Sequence, residues 1–390
     1  LKNNFNEIVD RKSTESVKWN GVKSLYGRDD VIPMWVADMD FKSPPEVIEA
    51  LKQRAEHGIF GYPMLDEDYF VPFINWIKAR HGIEIKKEWI VTTDGVVDAL
   101  KIAILAYSKP GDNVVIQTPV YYPFYNIIKS NGRMIIKNSL KFENRNYSMD
   151  FDDLEKKLSL KRTKLFILCN PHNPVGRVWK REELEKLVQL CIKHNVLLLS
   201  DEIHSDLVFS PNKHIPIFSI SQDIKEGSLT FYAPSKTFNL AGLKASFAVI
   251  PNEQLRTEYK NVIESLSSDN LNIFGMVAAK VAYERGEDWL DDLLNYLRAN
   301  IDYVYDFFNE KLPKVKLQKP EGTYLMWLDF RAYGDEQKVK DILVNKAKVG
   351  LEEGSIFGEE GKGFFRMNIG CPISMLKDAC NNIYDAFKNL

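Results

Sequence analysis

Between Trp89 and Ala248 short apolar runs alternate with amphipathic stretches, and that alternation restricts the fold more than any other property of the chain. Val114-Val115-Ile116, Leu165-Phe166-Ile167-Leu168, Val196-Leu197-Leu198-Leu199 and Leu229-Thr230-Phe231-Tyr232 read as strands buried on both faces. Such strands belong to a mostly parallel sheet covered by helices on each side. Helical periodicity over 98–105 and 181–188 supplies crossovers, and Pro110-Gly111-Asp112 supplies a turn. The spacing therefore predicts an α/β fold. Leu290, Leu293, Leu294, Leu297, Ile301, Val304 and Phe308 then mark one face of a long helix over 288–312. Strands over 322–328 and 363–369, flanking a helix over 336–347, make a smaller α+β unit. Pro44-Pro45 opens a helix that runs to about His57 and is expected to pack beside that unit. The expected division is 1–54 for the amino-terminal part of a small domain, 55–287 for a large domain and 288–390 for the carboxyl-terminal part of the small one.

Charge excludes some partners. The 390 residues include 52 basic and 54 acidic ones, spread along the chain with a formal net charge of -2. No basic patch of this kind points to nucleic acid or a membrane surface. Cys169, Cys191, Cys371 and Cys380 lack metal-ligand spacing, so no metal site is expected and a reducing compartment is. Residues 1–7 lack the apolar stretch of a signal peptide, and no run is long enough to span a bilayer, which favours the cytoplasm.

The chemistry lies where the strands stop. Tyr121, Asn173, Asp201 and Lys236 each follow the carboxyl end of one apolar run, and ligands of open α/β sheets lie beyond those ends. An aromatic face, an amide, a carboxylate and an amine in one crevice match pyridoxal 5′-phosphate (PLP). Asp201 lies at the end of four apolar residues, where an unpaired carboxylate is costly and a pyridinium nitrogen would satisfy it. His204 could reach the same ring or hydrogen-bond Asp201, although a lone histidine more often plays a supporting role. Asn170-Pro171-His172-Asn173-Pro174-Val175-Gly176 forces a rigid irregular turn. Thr92-Thr93-Asp94-Gly95-Val96-Val97 offers a glycine turn into a helix whose first amides can cradle a phosphate, a signal that is ordinary architecture when taken alone.

Asn173, Asp201 and Lys236, in that order and at these separations, resemble the signature of fold type I PLP enzymes, the aspartate aminotransferase superfamily. Residues 33–41, 57–62, Asp201-Glu202-Ile203-His204 and Ala233-Pro234-Ser235-Lys236-Thr237-Phe238-Asn239 resemble its MalY/PatB branch of cystathionine β-lyases and cysteine-conjugate carbon–sulfur lyases. The resemblance implies the PLP-dependent transferase-like fold, with a mostly parallel seven-stranded sheet in the large domain, and a homodimer with shared sites. It implies that Lys236 holds the cofactor aldehyde and serves as base, with Tyr121 stacked on the ring, Asn173 on its hydroxyl oxygen and Asp201 on its nitrogen. Gly95, Val96, Val97, Ser235 and Lys244 would hold the phosphate, joined by Tyr62 of a neighbouring subunit. Arg366 would clamp the carboxylate of an amino-acid substrate, a task that suits the guanidinium fork. Trp35 either lines a thioether pocket or simply packs. Two departures stand out: Ala233 replaces a common phosphate-binding serine, and Lys244 replaces an arginine, trading a bidentate contact for a point charge. The implied reaction is α,β-elimination from an L-cysteine thioether. An aminotransferase shares every one of these groups and stays open, as does a regulatory role in binding another protein.

Overall fold

The computed structural model describes residues 3–266 and 272–390. Leu1 and Lys2, part of the amino-terminal stretch read above, lie outside the described residues. The main sheet has seven strands: β1 (Ile90–Thr93), β2 (Asn113–Thr118), β3 (Met134–Ser139), β4 (Thr163–Cys169), β5 (Leu197–Asp201), β6 (Ser228–Tyr232) and β7 (Ser246–Val249), in the spatial order β1-β7-β6-β5-β4-β2-β3. Strands β3, β2, β4, β5 and β6 pair in parallel, while β7 runs antiparallel to both β1 and β6. The α/β expectation therefore holds, with a single reversed strand. Its central strands are buried almost throughout, as their apolar runs require.

Helices cover both faces. Helix α1 (Pro45–Glu56), α2 (Val71–His81), α3 (Val96–Tyr107), α4 (Arg181–Lys193), α5 (Ile273–Arg285) and α6 (Glu287–Lys311) include each segment whose periodicity announced a helix. Leu290, Leu293, Leu297, Ile301, Val304 and Phe308 of α6 are buried, so the apolar stripe is the face packed inward. The carboxyl-terminal unit carries a four-stranded antiparallel sheet, β8 (Lys316–Leu317), β9 (Leu325–Asp329), β10 (Glu352–Glu353) and β11 (Phe364–Asn368), in the order β8-β9-β11-β10. Helix α1 departs from expectation: its main packing partner is α5 and not this unit. Its neighbour in sequence, the segment 32–41, is what joins the small sheet.

That segment acts as a strap. Ile32 and Pro33 pair with Val349 and Gly350, and the Asn368 side-chain amide donates to the Val36 and Asp38 carbonyls at 2.6 Å each. On the opposite side Asn239 accepts from the Met39 amide at 2.9 Å and donates to the Met39 and Phe41 carbonyls at 2.8 Å each. Asn239 sits at φ 57°, a left-handed conformation that asparagine tolerates better than most residues. The strap thus bridges the two units just three residues past Lys236.

A buried ionic knot fixes its far end. Asp40 accepts from Lys18 Nζ at 2.6 Å, Arg11 at 2.7 Å and the Trp19 indole at 2.8 Å, and both Lys18 and Asp40 are out of solvent. Burial raises the Asp40 carboxyl, but these partners outweigh it and hold it below the usual range. Asp40→Ala strands the Lys18 ammonium without its partner, so the variant should lose about 3–5 kcal/mol of stability, read from the midpoint of chemical denaturation.

Candidate active site

Four strand ends deliver their side chains to one cavity of about 240 Å³. Tyr121 follows β2, Asn173 follows β4, Asp201 ends β5 and Lys236 follows β6, and all four line it. Gly95, Val96, Val97, His204, Ser235 and Lys244 line the same space. Two surface hollows of about 820 Å³ lie elsewhere, so size does not pick the site. The cavity is distinguished by a buried amine and a buried carboxylate that do not pair with one another.

Lys236 Nζ donates to the Ala37 carbonyl of the strap at 2.5 Å, and that carbonyl also accepts from the Tyr324 hydroxyl at 2.8 Å. Burial lowers the amine to about 8, helped by the Arg366 charge and opposed by Asp38 and Asp201. Near neutrality an appreciable share of Lys236 is therefore the free base, the form that attacks an aldehyde. Thr237, the next residue, is pinned by Asp206 at 2.9 Å, and Asp206 also accepts from the Trp76 indole at 3.0 Å. The lysine thus stands on a fixed turn.

Asp201 is in the opposite situation. The Ile203 amide donates to one oxygen at 3.1 Å, and among the described residues no cation lies within ion-pair distance. Burial pushes its carboxyl up to about 7, although the Ile203 amide and the Lys236 charge oppose the shift. A carboxylate in this state lacks the cationic N–H that would hold it ionised, and a pyridinium nitrogen is such a group. His204 bonds neither Asp201 nor any other described residue through its buried Nδ1, and burial, with Lys236 and Arg366 nearby, keeps it neutral.

Asn173 is held by the turn that the two Asn-Pro pairs predict. Gly176 in that turn has φ 73°, and a Cβ there would meet the Pro320 side chain at 2.6 Å, so only glycine fits. The Asn173 amide nitrogen of the backbone donates to Cys169 Sγ at 3.4 Å. Its side-chain oxygen accepts from Arg366 Nη1 at 2.9 Å, which leaves the side-chain NH2 free of any acceptor among the described residues. Arg366 is 2 % exposed and also donates to the Trp35 carbonyl at 2.9 Å and to Glu352 at 3.1 Å. Its Nε is buried with no partner among the described residues.

Helix α3 begins at Val96, where Gly95 at φ 131° turns the chain and no side chain caps the first turn. The Gly95 amide itself is already taken: Ser246, opposite Thr93 in the β7–β1 ladder, accepts from it at 2.9 Å. The anion-binding amides at this helix start are therefore those beyond Gly95, with the Lys244 side chain beside them. Trp35, Tyr62 and Arg366 are not among the residues that line the cavity. Trp35 donates its indole to the Lys18 carbonyl at 3.0 Å and packs edge-on to Tyr26, so its contribution to the site is the backbone carbonyl on Arg366. Tyr62 is fully exposed and does not line this chain's own cavity. Ala37, Ser246 and Glu352 join the site without having been singled out in the sequence; a backbone carbonyl and single hydroxyl and carboxylate groups leave no local pattern there.

The donor set fits PLP: an amine for the aldehyde, an uncompensated carboxylate for the ring nitrogen, an amide for the ring oxygen and an uncapped helix start with a lysine for the phosphate. A family model of aminotransferase class I and II matches residues 29–383. The chain is 45% identical over 381 residues to cystathionine beta-lyase PatB of Bacillus subtilis, covering 97% of this chain and 98% of that protein. Cystalysin of Treponema denticola, solved with pyridoxal 5′-phosphate, superposes with a TM-score of 0.96 at 38% identity and 99% coverage of both chains. The PLP-bound C–S lyase of Staphylococcus hominis superposes at 0.91 with 35% identity, over 98% of this chain and 97% of the other.

Asp201 yields a test in the cofactor-free protein. Its folded carboxyl titrates near 7 against an ordinary value of 3.8, so the folded state binds the proton more tightly and stability falls as pH rises between those values. Asp201→Asn removes that penalty. The cofactor-free variant should be more stable than cofactor-free wild type at pH 8, on the order of 2–4 kcal/mol, and the gap should close toward pH 4. Thermal melts across this range check it.

Proposed function

Because this chain belongs to the class I and II aminotransferase family, with the uncompensated carboxylate of Asp201 and the low-pKa amine of Lys236 in one cavity, we propose that it is a PLP-dependent carbon–sulfur β-lyase. Its substrates are L-cysteine thioethers of the cystathionine kind, and its products are a thiol, pyruvate and ammonia. The observation that carries the elimination, as against amino transfer, is the full-length likeness to the Bacillus lyase.

PLP, when bound, supplies a protonated ring that accepts the electron pair left by loss of the substrate α-proton. Asp201 keeps that ring nitrogen protonated, and Asn173 meets the ring oxygen with its free NH2. Lys236 holds the cofactor through its amine and, once freed by the incoming amino acid, takes the α-proton at Nζ. Tyr121, wedged against Phe124 at 5.8 Å, offers the flat face that orients the ring. Val96, Val97, Ser235 and Lys244 hold the phosphate. Arg366 takes the α-carboxylate by its charge and by an N–H that Asn173, Trp35 and Glu352 leave open. The Cβ–S bond then breaks with its electron pair on sulfur, and the thiolate gains a proton from Lys236 or a neighbouring tyrosine. Water converts the three-carbon remainder to pyruvate and ammonia.

The same reading makes the protein a homodimer whose partner chain brings Tyr62. Ile59, Phe60, Tyr62 and Met64 are 67%, 58%, 103% and 87% exposed along one stretch, an apolar surface that a second subunit would cover. A cytoplasmic setting agrees with four buried free thiols, and among the described residues no helix is long and apolar enough to cross a membrane.

Incubation of the cofactor-loaded protein with L-cystathionine and no keto acid should release pyruvate and free thiol in equal amounts over many turnovers. Lys236→Ala should lose both products together with the absorbance of lysine-bound cofactor. Amino groups that move only after a keto acid is added, with no thiol released, would give the protein to the aminotransferases. For the shared site, mixed Lys236→Ala and Tyr62→Ala chains should regain activity well above the sum of the parents, since a hybrid dimer rebuilds one intact site. No gain on mixing, in chains shown to exchange, rules out that arrangement.

A further inference from the structure

Glu352 and Arg366 face each other directly across the β10–β11 ladder, which puts both side chains on one face of the small sheet. The Glu352 carboxylate reaches Arg366 Nη2 at 3.1 Å and is 13% exposed, against 2% for the arginine. Both Nη2 hydrogens are engaged, by Trp35 and Glu352, and one on Nη1 goes to Asn173. The Nε hydrogen and the other Nη1 hydrogen stay open, and because they point to different sides of the guanidinium an incoming carboxylate takes one of them. The second Glu352 oxygen has no donor among the described residues and is not sealed from solvent, so it is the open end of this pair.

Around it the charges are already balanced. The guanidinium lies over Phe357 at 4.8 Å, and Tyr122, 37% exposed, packs on the same ring at 6.2 Å. The Glu352 charge helps raise both the Tyr122 and the Tyr26 hydroxyl, after burial, which is the larger cause. Arg11 is paired with Asp38 and Asp40, Lys18 with Asp40, and Lys340 with Glu353. The clamp arginine thus carries its own counter-ion. A substrate α-carboxylate makes this corner net negative, and none of these cations is free to receive a second acid group.

We propose that Glu352 is a specificity-determining residue that selects by charge: the site takes amino acids whose side arm is neutral or carries an ammonium group, and discriminates against an arm whose only charge is a carboxylate. An ammonium group meets the open Glu352 oxygen, whereas a lone carboxylate meets a like charge with no compensating donor. This rests on Arg366 as the α-carboxylate clamp and deepens the lyase reading.

The test compares S-(2-aminoethyl)-L-cysteine with S-carboxymethyl-L-cysteine, two thioethers of similar length and opposite arm charge, in the cofactor-loaded enzyme. Wild type should favour the aminoethyl arm in kcat/KM by at least about tenfold, and Glu352→Gln, which keeps an acceptor for Arg366, should shrink that ratio about tenfold. Glu352→Asp should retain the wild-type order. A wild-type preference for the carboxymethyl arm, or a ratio untouched by the glutamine variant, overturns the proposal. S-ethyl-L-cysteine separates the two readings: if wild type does not cleave it, the lyase assignment fails. Charge selection is then read from the equilibrium binding of L-ornithine against L-glutamate, where the same loss of preference in Glu352→Gln is required. An equal preference in variant and wild type sinks the inference there too.

Discussion

The site depends on keeping an amine and a carboxylate buried in one low-dielectric cavity without letting them meet. Lys236 and Asp201 influence each other's protonation, yet the amine rests on the Ala37 carbonyl and the carboxylate on the Ile203 amide. Direct contact would stabilise both charges and leave neither group reactive. Separation leaves the amine partly neutral and the carboxylate short of a cation, two needs that one aromatic aldehyde with a basic nitrogen meets together. The sheet enforces the separation, because β5 and β6 are neighbours that end at Asp201 and just before Lys236.

The amino-terminal strap completes this arrangement from outside the sheet. Its Ala37 carbonyl is the resting acceptor for Lys236, its Trp35 carbonyl supports Arg366, and its flanks are tied to Asn368 on one unit and Asn239 on the other. The buried knot of Lys18, Arg11 and Asp40 has the same purpose at longer range. An ion pair out of water is a poor source of net stability, but losing one partner leaves the other charge buried and uncompensated, so these three groups are held together or not at all.

Much of this was legible in the sequence, for definite reasons. Apolar runs specify buried parallel strands, and chemistry at their carboxyl ends is set by topology, so Tyr121, Asn173, Asp201 and Lys236 could be read together from local pattern. The strap could not. Its partners around the site, Lys236, Asn239, Arg366 and Asn368, are about two to three hundred residues away, and its working atoms there are mostly backbone carbonyls that no side chain announces. Helix α1 misled for a related reason: its amphipathic face shows that it packs, but not on what, and α5 took the place assigned to the small unit. Ser246 competes for the Gly95 amide through a β7–β1 register that becomes visible only once β7 is known to run backwards.

Arg366 carries one more consequence. A surface arginine surrenders considerable rotamer freedom whenever it grips a ligand, on the order of 1–2 kcal/mol. Here that freedom is already gone at folding, since Asn173, Trp35 and Glu352 hold the guanidinium in place and Phe357 lies beneath it. In its proposed role as carboxylate clamp, Arg366 would offer a rigid template whose entropy loss was settled by the fold, so that the ligand's position is determined by the protein and not negotiated on arrival.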